Sequence, residues 1–216
     1  MKIRASIVGI CIFIIGCTSK TAVDKETTLP FFNSGAFTPE WIPETSDKYV
    51  KIHTIPAFKF TNQEGNLVTN KTYEGKIYVA DFFFTSCPGI CPRLTKNMRR
   101  LQEVFKEDGE VALLSHSVTP VKDSVPILKA YAVENNVDSS KWNLVTGPKK
   151  ELYAIARKAY FADENYYKTQ KEDAFIHTEN FVLIDKKGRI RGVYNGTLAV
   201  ETDRIVRHVA LLKKEG

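Results

Sequence analysis

The chain has 216 residues, 43% hydrophobic and 26% charged, and its 31 Lys and Arg against 25 Asp and Glu leave a formal charge of +6. These proportions exclude a disordered tail, a collagen-like repeat and a polytopic membrane protein, and they suit one domain with a real core. Lys and Arg are scattered among acids, in pairs such as Arg99-Arg100 and no longer run, so the charge pattern calls for no nucleic acid.

The chain opens with Lys2 and Arg4, an apolar stretch from Ala5 to Ile15, and then Gly16-Cys17 followed at once by polar Thr18-Ser19-Lys20. The apolar run is too short to span a bilayer, which needs roughly 20 residues. Its end resembles a bacterial lipobox, so residues 1 to 16 are expected to be a lipoprotein signal peptide and Cys17 the lipidated N-terminus. Lipoproteins carry more than one acyl chain on that Cys, because a single chain anchors only marginally. The expected location is extracytoplasmic: a membrane-anchored bacterial lipoprotein on the periplasmic side or cell surface.

Residues 17 to 47, rich in Thr, Lys, Ser and Pro with Phe31, Phe32, Phe37 and Trp41, read as a tether and N-terminal extension whose later part packs on the domain. The domain itself is expected over 48 to 216. Ile52 to Phe60 and Lys76 to Phe84 read as strands separated by the turn Asn62-Gln63-Glu64-Gly65-Asn66. The second is apolar nearly throughout, as a central strand covered on both faces should be. After Cys87-Pro88-Gly89-Ile90-Cys91-Pro92 comes a helix with Leu94, Met98, Leu101 and Phe105 on one face. A strand at Val111 to Val118, a helix near Ser124 to Asn135, a short strand around Trp142 to Val145 and a helix at Lys149 to Ala159 follow. A polar, aperiodic stretch from Asp163 to Asp173 leads to His177. Phe181 to Asp185 and Arg189 to Tyr194 form a hairpin across Lys186-Lys187-Gly188, and Thr202 to Lys213 is a last helix. This alternation, closing with a hairpin and a helix, is the thioredoxin order: an α/β fold with a central mixed sheet flanked by helices.

With Cys11 in the signal and Cys17 taken by lipid, Cys87 and Cys91 remain. A bridge between residues four apart closes a tiny loop and constrains the unfolded chain little, so the pair is expected to serve chemistry rather than stability.

Phe84-Thr85-Ser86-Cys87-Pro88-Gly89-Ile90-Cys91-Pro92, the later Ser117-Val118-Thr119-Pro120, and His177 just before Phe181-Val182-Leu183-Ile184-Asp185 together resemble the Sco/SenC family, thioredoxin-fold copper-binding proteins of cytochrome oxidase assembly. The match runs over roughly residues 50 to 213. The family commonly has an acid where Gly89 stands and Asp where Thr119 and Ile176 stand; none of these departures removes a metal ligand. The resemblance implies a copper chaperone that donates copper to the dinuclear copper centre of cytochrome c oxidase subunit II, or to another copper-receiving protein, with Cys87, Cys91 and His177 as ligands.

The residues support copper independently. Two cysteines four apart at a helix start are expected to lie about one turn apart on one face, where they can chelate a metal or close a disulfide. The helix N-terminus and Arg93 both favour thiolate. Two sulfurs and one imidazole suit Cu(I) and can hold Cu(II), whereas structural Zn wants four protein ligands and no further Cys is at hand. Four histidines compete for the third place. His53 and His208 read as surface residues. His116 shares the buried face of its strand with Leu114 and Val118 and reads first as a hydrogen-bonded core histidine, with metal ligation or a supporting, proton-handling role at the site as the alternatives. His177 lies at the junction that faces the cysteines in thioredoxin-like folds.

Asp81, an acid in an apolar strand six residues before Cys87, stands near the offset at which thioredoxins keep a buried proton-handling carboxylate. Its other reading is a strand acid bonded to Thr or backbone. Asp81 supports the alternative function, a membrane-tethered thiol-disulfide oxidoreductase that uses Cys87 and Cys91 as a redox pair to reduce the cysteines of a copper-receiving protein. The three-residue spacing between the cysteines pulls the other way, since dedicated thioredoxins use two. A peroxiredoxin is disfavoured by Phe84, where its Thr would stand, and a copper or redox sensor is not separable from these. The expectation is therefore a metallochaperone rather than an enzyme in the strict sense.

Overall fold

Strand and helix alternate because runs of β-branched and aromatic residues alternate with amphipathic segments of helical period. A computed structural model describes residues 27–162 and 178–215. Cys17, His177 and the stretch from Asp163 to Asp173 lie outside the described residues. The strands are β1 (Lys59–Asn62), β2 (Leu67–Thr69), β3 (Ile77–Phe83), β4 (Val111–Ser117), β5 (Trp142–Thr146), β6 (Asn180–Ile184) and β7 (Ile190–Asn195). The α-helices among the described residues are α1 (Cys91–Val104), α2 (Val125–Glu134), α3 (Lys149–Lys158) and α4 (Ala199–Glu215). None is long and apolar enough to cross a membrane.

The seven strands form one mixed sheet in the order β2-β1-β5-β4-β3-β6-β7. β3 runs parallel to β4, and β4 to β5, while β1, β6 and β7 pair antiparallel. Every residue of β3 and β4 is buried, as their apolar sequences require of strands covered on both sides. One face packs Phe60, Phe82, Leu114 and Val145 against Leu152, Ile155 and Ala156 of α3. The other packs Val79, Phe83, Leu113 and Leu144 against Leu94 and Met98 of α1, Leu128 of α2 and Val209 of α4. The mixed sheet flanked by helices is the expected class.

The first strand departs from the sequence reading. Tyr49–Lys51 form a 3-10 turn, Thr54 makes only an isolated bridge to Arg189, and regular pairing begins at Lys59. Pro56 has no amide to donate, so the ladder cannot run through it. The turn that seemed to separate long strands instead closes the short β1–β2 hairpin. Asn62 Oδ1 accepts the amides of Glu64 and Asn66, and Gly65 takes φ +79°.

The N-terminal extension is docked from Leu29 onward. Phe32 donates its amide to Ile190 O on edge strand β7, and Phe31, Ile42 and Ile52 form a small core of their own. Arg191 donates to the carbonyls of Leu29 and Pro30 while its guanidinium pairs with Glu215 and Asp185. Strap, sheet edge and the end of α4 thus share one nearly buried cation.

Candidate thiol and metal site

The parallel strands β3 and β4 end side by side, Phe83 opposite Ser117, and the chain leaves β3 through Phe84-Thr85-Ser86 into the cysteine loop. The helix begins at Cys91, not at Cys87, with Pro92 in its first turn and no side-chain cap from Ile90. One turn of helix therefore does not bring the two sulfurs together. The loop folds back instead, Cys87 N donating to Phe84 O at 3.3 Å, which brings the Cys91 thiol close enough to lower the proton affinity of Cys87. Both cysteines are free thiols.

Their environments differ sharply. Cys91 is 1% exposed, while Cys87 is only partly buried. Burial opposes ionisation of Cys87, but hydrogen bonds from the amide and thiol of Cys91 and the amides of Gly89 and Ile90 outweigh it and hold the thiol below its ordinary value. The sulfur takes the place of the missing capping side chain. Cys91 moves the other way. Burial pushes its thiol up to about 12 against one amide hydrogen bond from Phe84, and the nearby Cys87 and Asp81 add to the rise. The helix N-terminus thus favours thiolate at one cysteine only, and backbone amides rather than Arg93 supply the effect. A Cβ at position 89 would sit 3.8 Å from Cys87 Sγ, so an acid there would stand against the sulfur and Gly89 leaves that contact uncharged.

Asp81 lies on the cysteine side of the sheet, opposite Ser115 in the β3–β4 register. Burial pushes its carboxyl up to about 7, with a hydrogen bond from the Ser115 hydroxyl working against the rise. Ser115 Oγ in turn accepts the Trp142 indole N–H at 2.8 Å, and Asp81 Oδ1 has no partner. The Ser115 hydroxyl, rather than Thr or backbone, opposes the rise, and the field of Asp81 reaches Cys91.

His116 does not join this group. Alternation along β4 turns it to the opposite face, where Phe58, Phe60, Phe82 and Tyr160 surround the ring with centroids 5.1–6.0 Å away. It is a core histidine, but neither ring nitrogen has a hydrogen-bond partner, so both the expected hydrogen bond and the supporting role at the cysteines are corrected. His53 and His208 are engaged elsewhere, His53 Nε2 with Ala159 O and His208 Nδ1 with the Tyr194 hydroxyl. Both are partly buried rather than free at the surface.

One site residue escaped the sequence reading. Asp123 is fully buried and accepts four hydrogen bonds: from the Thr85 hydroxyl at 2.6 Å, the Thr85 amide at 3.4 Å, the Ser117 hydroxyl at 2.6 Å and the Thr119 hydroxyl at 2.9 Å. The clue in the sequence was the cluster Ser117, Thr119 and Asp123 directly after an apolar strand.

Two sulfurs at a helix start are soft donors that fit a soft cation, and they can equally close a disulfide. Among the described residues no three His, Cys, Asp or Glu converge as a complete metal cluster, so a third ligand would have to come from outside them.

The fold recurs in known proteins. The chain is 33% identical to a SCO1/SenC family lipoprotein from Bacillus anthracis, covering 74% of this chain and 95% of that one at TM-score 0.65. It is 30% identical to BsSco, a member of the Sco family of cytochrome c oxidase assembly proteins in which a disulfide switch has been identified, with 76% and 95% covered and TM-score 0.64. It is 25% identical to Arabidopsis thaliana ScoI with copper bound, with 72% and 97% covered and TM-score 0.57. The SCO1/SenC family model matches residues 46–213, which takes in the whole sheet, both cysteines and the Asp123 cluster, and by that match the chain belongs to the SCO1/SenC family.

Proposed function

We propose that this protein is a membrane-anchored copper chaperone that delivers copper to the dinuclear copper centre of cytochrome c oxidase subunit II by thiolate ligand exchange. The observation that carries the reading is the polarised pair: a partly exposed Cys87 whose thiol the loop amides hold below its ordinary value, beside a buried Cys91 whose thiol burial pushes up. Copper is the cargo, held by Cys87, Cys91 and His177, as Cu(I) or Cu(II). Binding would cost Cys91 its proton, and Asp81 is the nearby group able to take it up near neutral pH. The acceptor's thiolates would then replace these ligands one at a time, Cys87 first because it is the exposed sulfur, so that copper is never released free. The relatives support the cargo and the pathway: one binds copper and another is a cytochrome c oxidase assembly protein. Anchoring rests on the lipobox-like Gly16-Cys17, on residues 1 to 16 as its signal peptide, and on a relative described as a lipoprotein. Such an anchor would hold the domain outside the cytoplasm.

The test is anaerobic copper titration of the reduced full-length chain in detergent, with metal quantified after gel filtration. One copper per chain is expected, and none in Cys87→Ser or Cys91→Ser. Full retention of copper in either variant would sink the site.

A second reading has its own observation. The unpartnered Asp81 oxygen on the Cys91 side of the sheet suits a thiol-disulfide oxidoreductase, in which Cys87 attacks a disulfide of the copper-receiving protein and Cys91, losing its proton, resolves the mixed disulfide. The relative with a disulfide switch supports it.

A further inference from the structure

Cys91 is held by its helix and its burial, but Cys87 stands on a loop, so the relation between the sulfurs is set by whatever fixes that loop. The last backbone bond between β3 and its neighbour at this end runs from Val118 N to Phe83 O at 2.9 Å. Beyond it the two chains part, one toward Cys87 and the other through Thr119-Pro120. The Asp123 carboxylate bridges the gap. Two of its four bonds go to Thr85, two residues before Cys87, and the other two go to Ser117 and Thr119 on the β4 side. The β4 side is itself rigid: Ser117 Oγ also accepts the Thr119 amide at 3.1 Å, and Asp123 N donates to Thr119 O at 2.9 Å.

We propose that Asp123 is the positioning residue of the cysteine pair, fixing through Thr85 the loop that carries Cys87 against the helix that carries Cys91. The proposal rests on the reading of Cys87 and Cys91 as the working dithiol. A carboxyl acceptor taking two hydroxyl donors at 2.6 Å in a buried setting holds geometry far more firmly than loop backbone alone. Holding two thiols in contact raises their effective concentration, which favours both the disulfide and a chelated metal. Loss of the clamp should therefore weaken both.

The measurement is the dithiol-disulfide equilibrium of the full chain in glutathione buffers without metal, where oxidised glutathione takes the two electrons and both protons as two thiols. Asp123→Ala is expected to disfavour the disulfide at least tenfold, about 30 mV, and to speed copper loss to a competing chelator by a similar factor. Gln63→Ala supplies the control for stability. It removes the buried bonds from Gln63 Nε2 to Trp142 O and from Leu144 N to Gln63 Oε1, neither of which involves Thr85, Asp123 or the cysteines, and should lower the melting temperature while leaving the equilibrium within twofold. Should Asp123→Ala fail to fold, Thr85→Val, which removes one hydroxyl donor, should disfavour the disulfide at least threefold, and Thr85→Ser should restore it. Values within twofold of wild type in the folded clamp variant, or an equal shift in Gln63→Ala, overturn the proposal. The arms are separable: a wild type that binds no copper sinks the chaperone reading and leaves the glutathione arm standing. A clamp variant that matches a copper-binding wild type sinks only the role of Asp123.

Discussion

Phe82 and His116 are cross-strand partners in the parallel β3–β4 ladder, their ring centroids 5.1 Å apart, and that pairing turns the imidazole away from the cysteines into an aromatic box. Burial pushes its proton affinity down to about 3 from 6.5. The unfolded chain takes up that proton below pH 6.5 and the folded chain does not, so His116 withdraws stability as pH falls from 6.5 toward 3. At pH 5 the withdrawal amounts to about 2 kcal/mol. Replacing His116 with Leu should therefore shift the pH slope of stability by about one proton in urea denaturation measured from pH 6.5 to 4, leaving stability to fall as pH rises. An unchanged slope would mean that the imidazole is protonated in place.

Asp81 acts in the opposite sense. Its carboxyl ionises at about 7 in the fold but at 3.8 when free, so its contribution is fully present below 3.8 and is lost as pH rises through 7. Between these limits it offsets His116, and the wild type should show a flatter profile than either variant. Asp81→Asn, which keeps a hydrogen-bonding partner for Ser115 without a charge, should be more stable than wild type at pH 8, by on the order of a few kcal/mol. Equal stability at pH 8 would contradict the buried, uncompensated carboxylate.

Alkylation should tell the two thiols apart. With its lowered proton affinity and partial exposure, Cys87 should react with iodoacetamide at pH 7.5 at least tenfold faster than Cys91, as followed by peptide mass spectrometry. Matching rates would remove the polarity on which the proposed order of ligand exchange depends.

The chaperone and reductase readings part at His177. Cells carrying His177→Ala should fail to assemble oxidase at low copper and recover partly when copper is added, because the variant keeps two sulfurs but loses the imidazole. A reductase would need only the cysteines, so normal assembly at low copper would favour that reading instead.

Gly196 adjoins the N-terminal half of α1, accepting Asn97 Nδ2 on its carbonyl at 2.6 Å. A Cβ there would come within 2.5 Å of the Phe181 ring and 2.8 Å of Leu94 Cδ2, both fully buried. Gly196→Ala should cost about 1–3 kcal/mol in denaturant unfolding. A neutral outcome would show that the Phe181 ring can move aside.

Much of the protein is legible along the chain because its signals are local. The apolar run from Ile77 to Phe84 marks a central strand wherever it is placed, and the spacing of Leu94, Met98 and Leu101 commits that segment to a one-faced helix. Two cysteines left after the N-terminal segment is set aside point to thiol chemistry without any knowledge of the fold. Short elements were the weak point: three-residue β2 carries too few residues for a pattern, and Pro56 ends a ladder that composition alone would extend. What only the tertiary structure decided is which groups share a space. Alternation along β4 says that Ser115 and His116 face opposite ways, but the packing of α1 against one face and α3 against the other decides which of them meets Asp81 and the cysteines. The difference between Cys87 and Cys91 has the same origin. Proton affinity follows from burial and from the direction of backbone amides, and neither exists until the loop has folded back onto the helix. Asp123, 36 positions from Cys87 in sequence, reaches the loop because the parallel strands end together, a relation written in sheet register rather than in any motif.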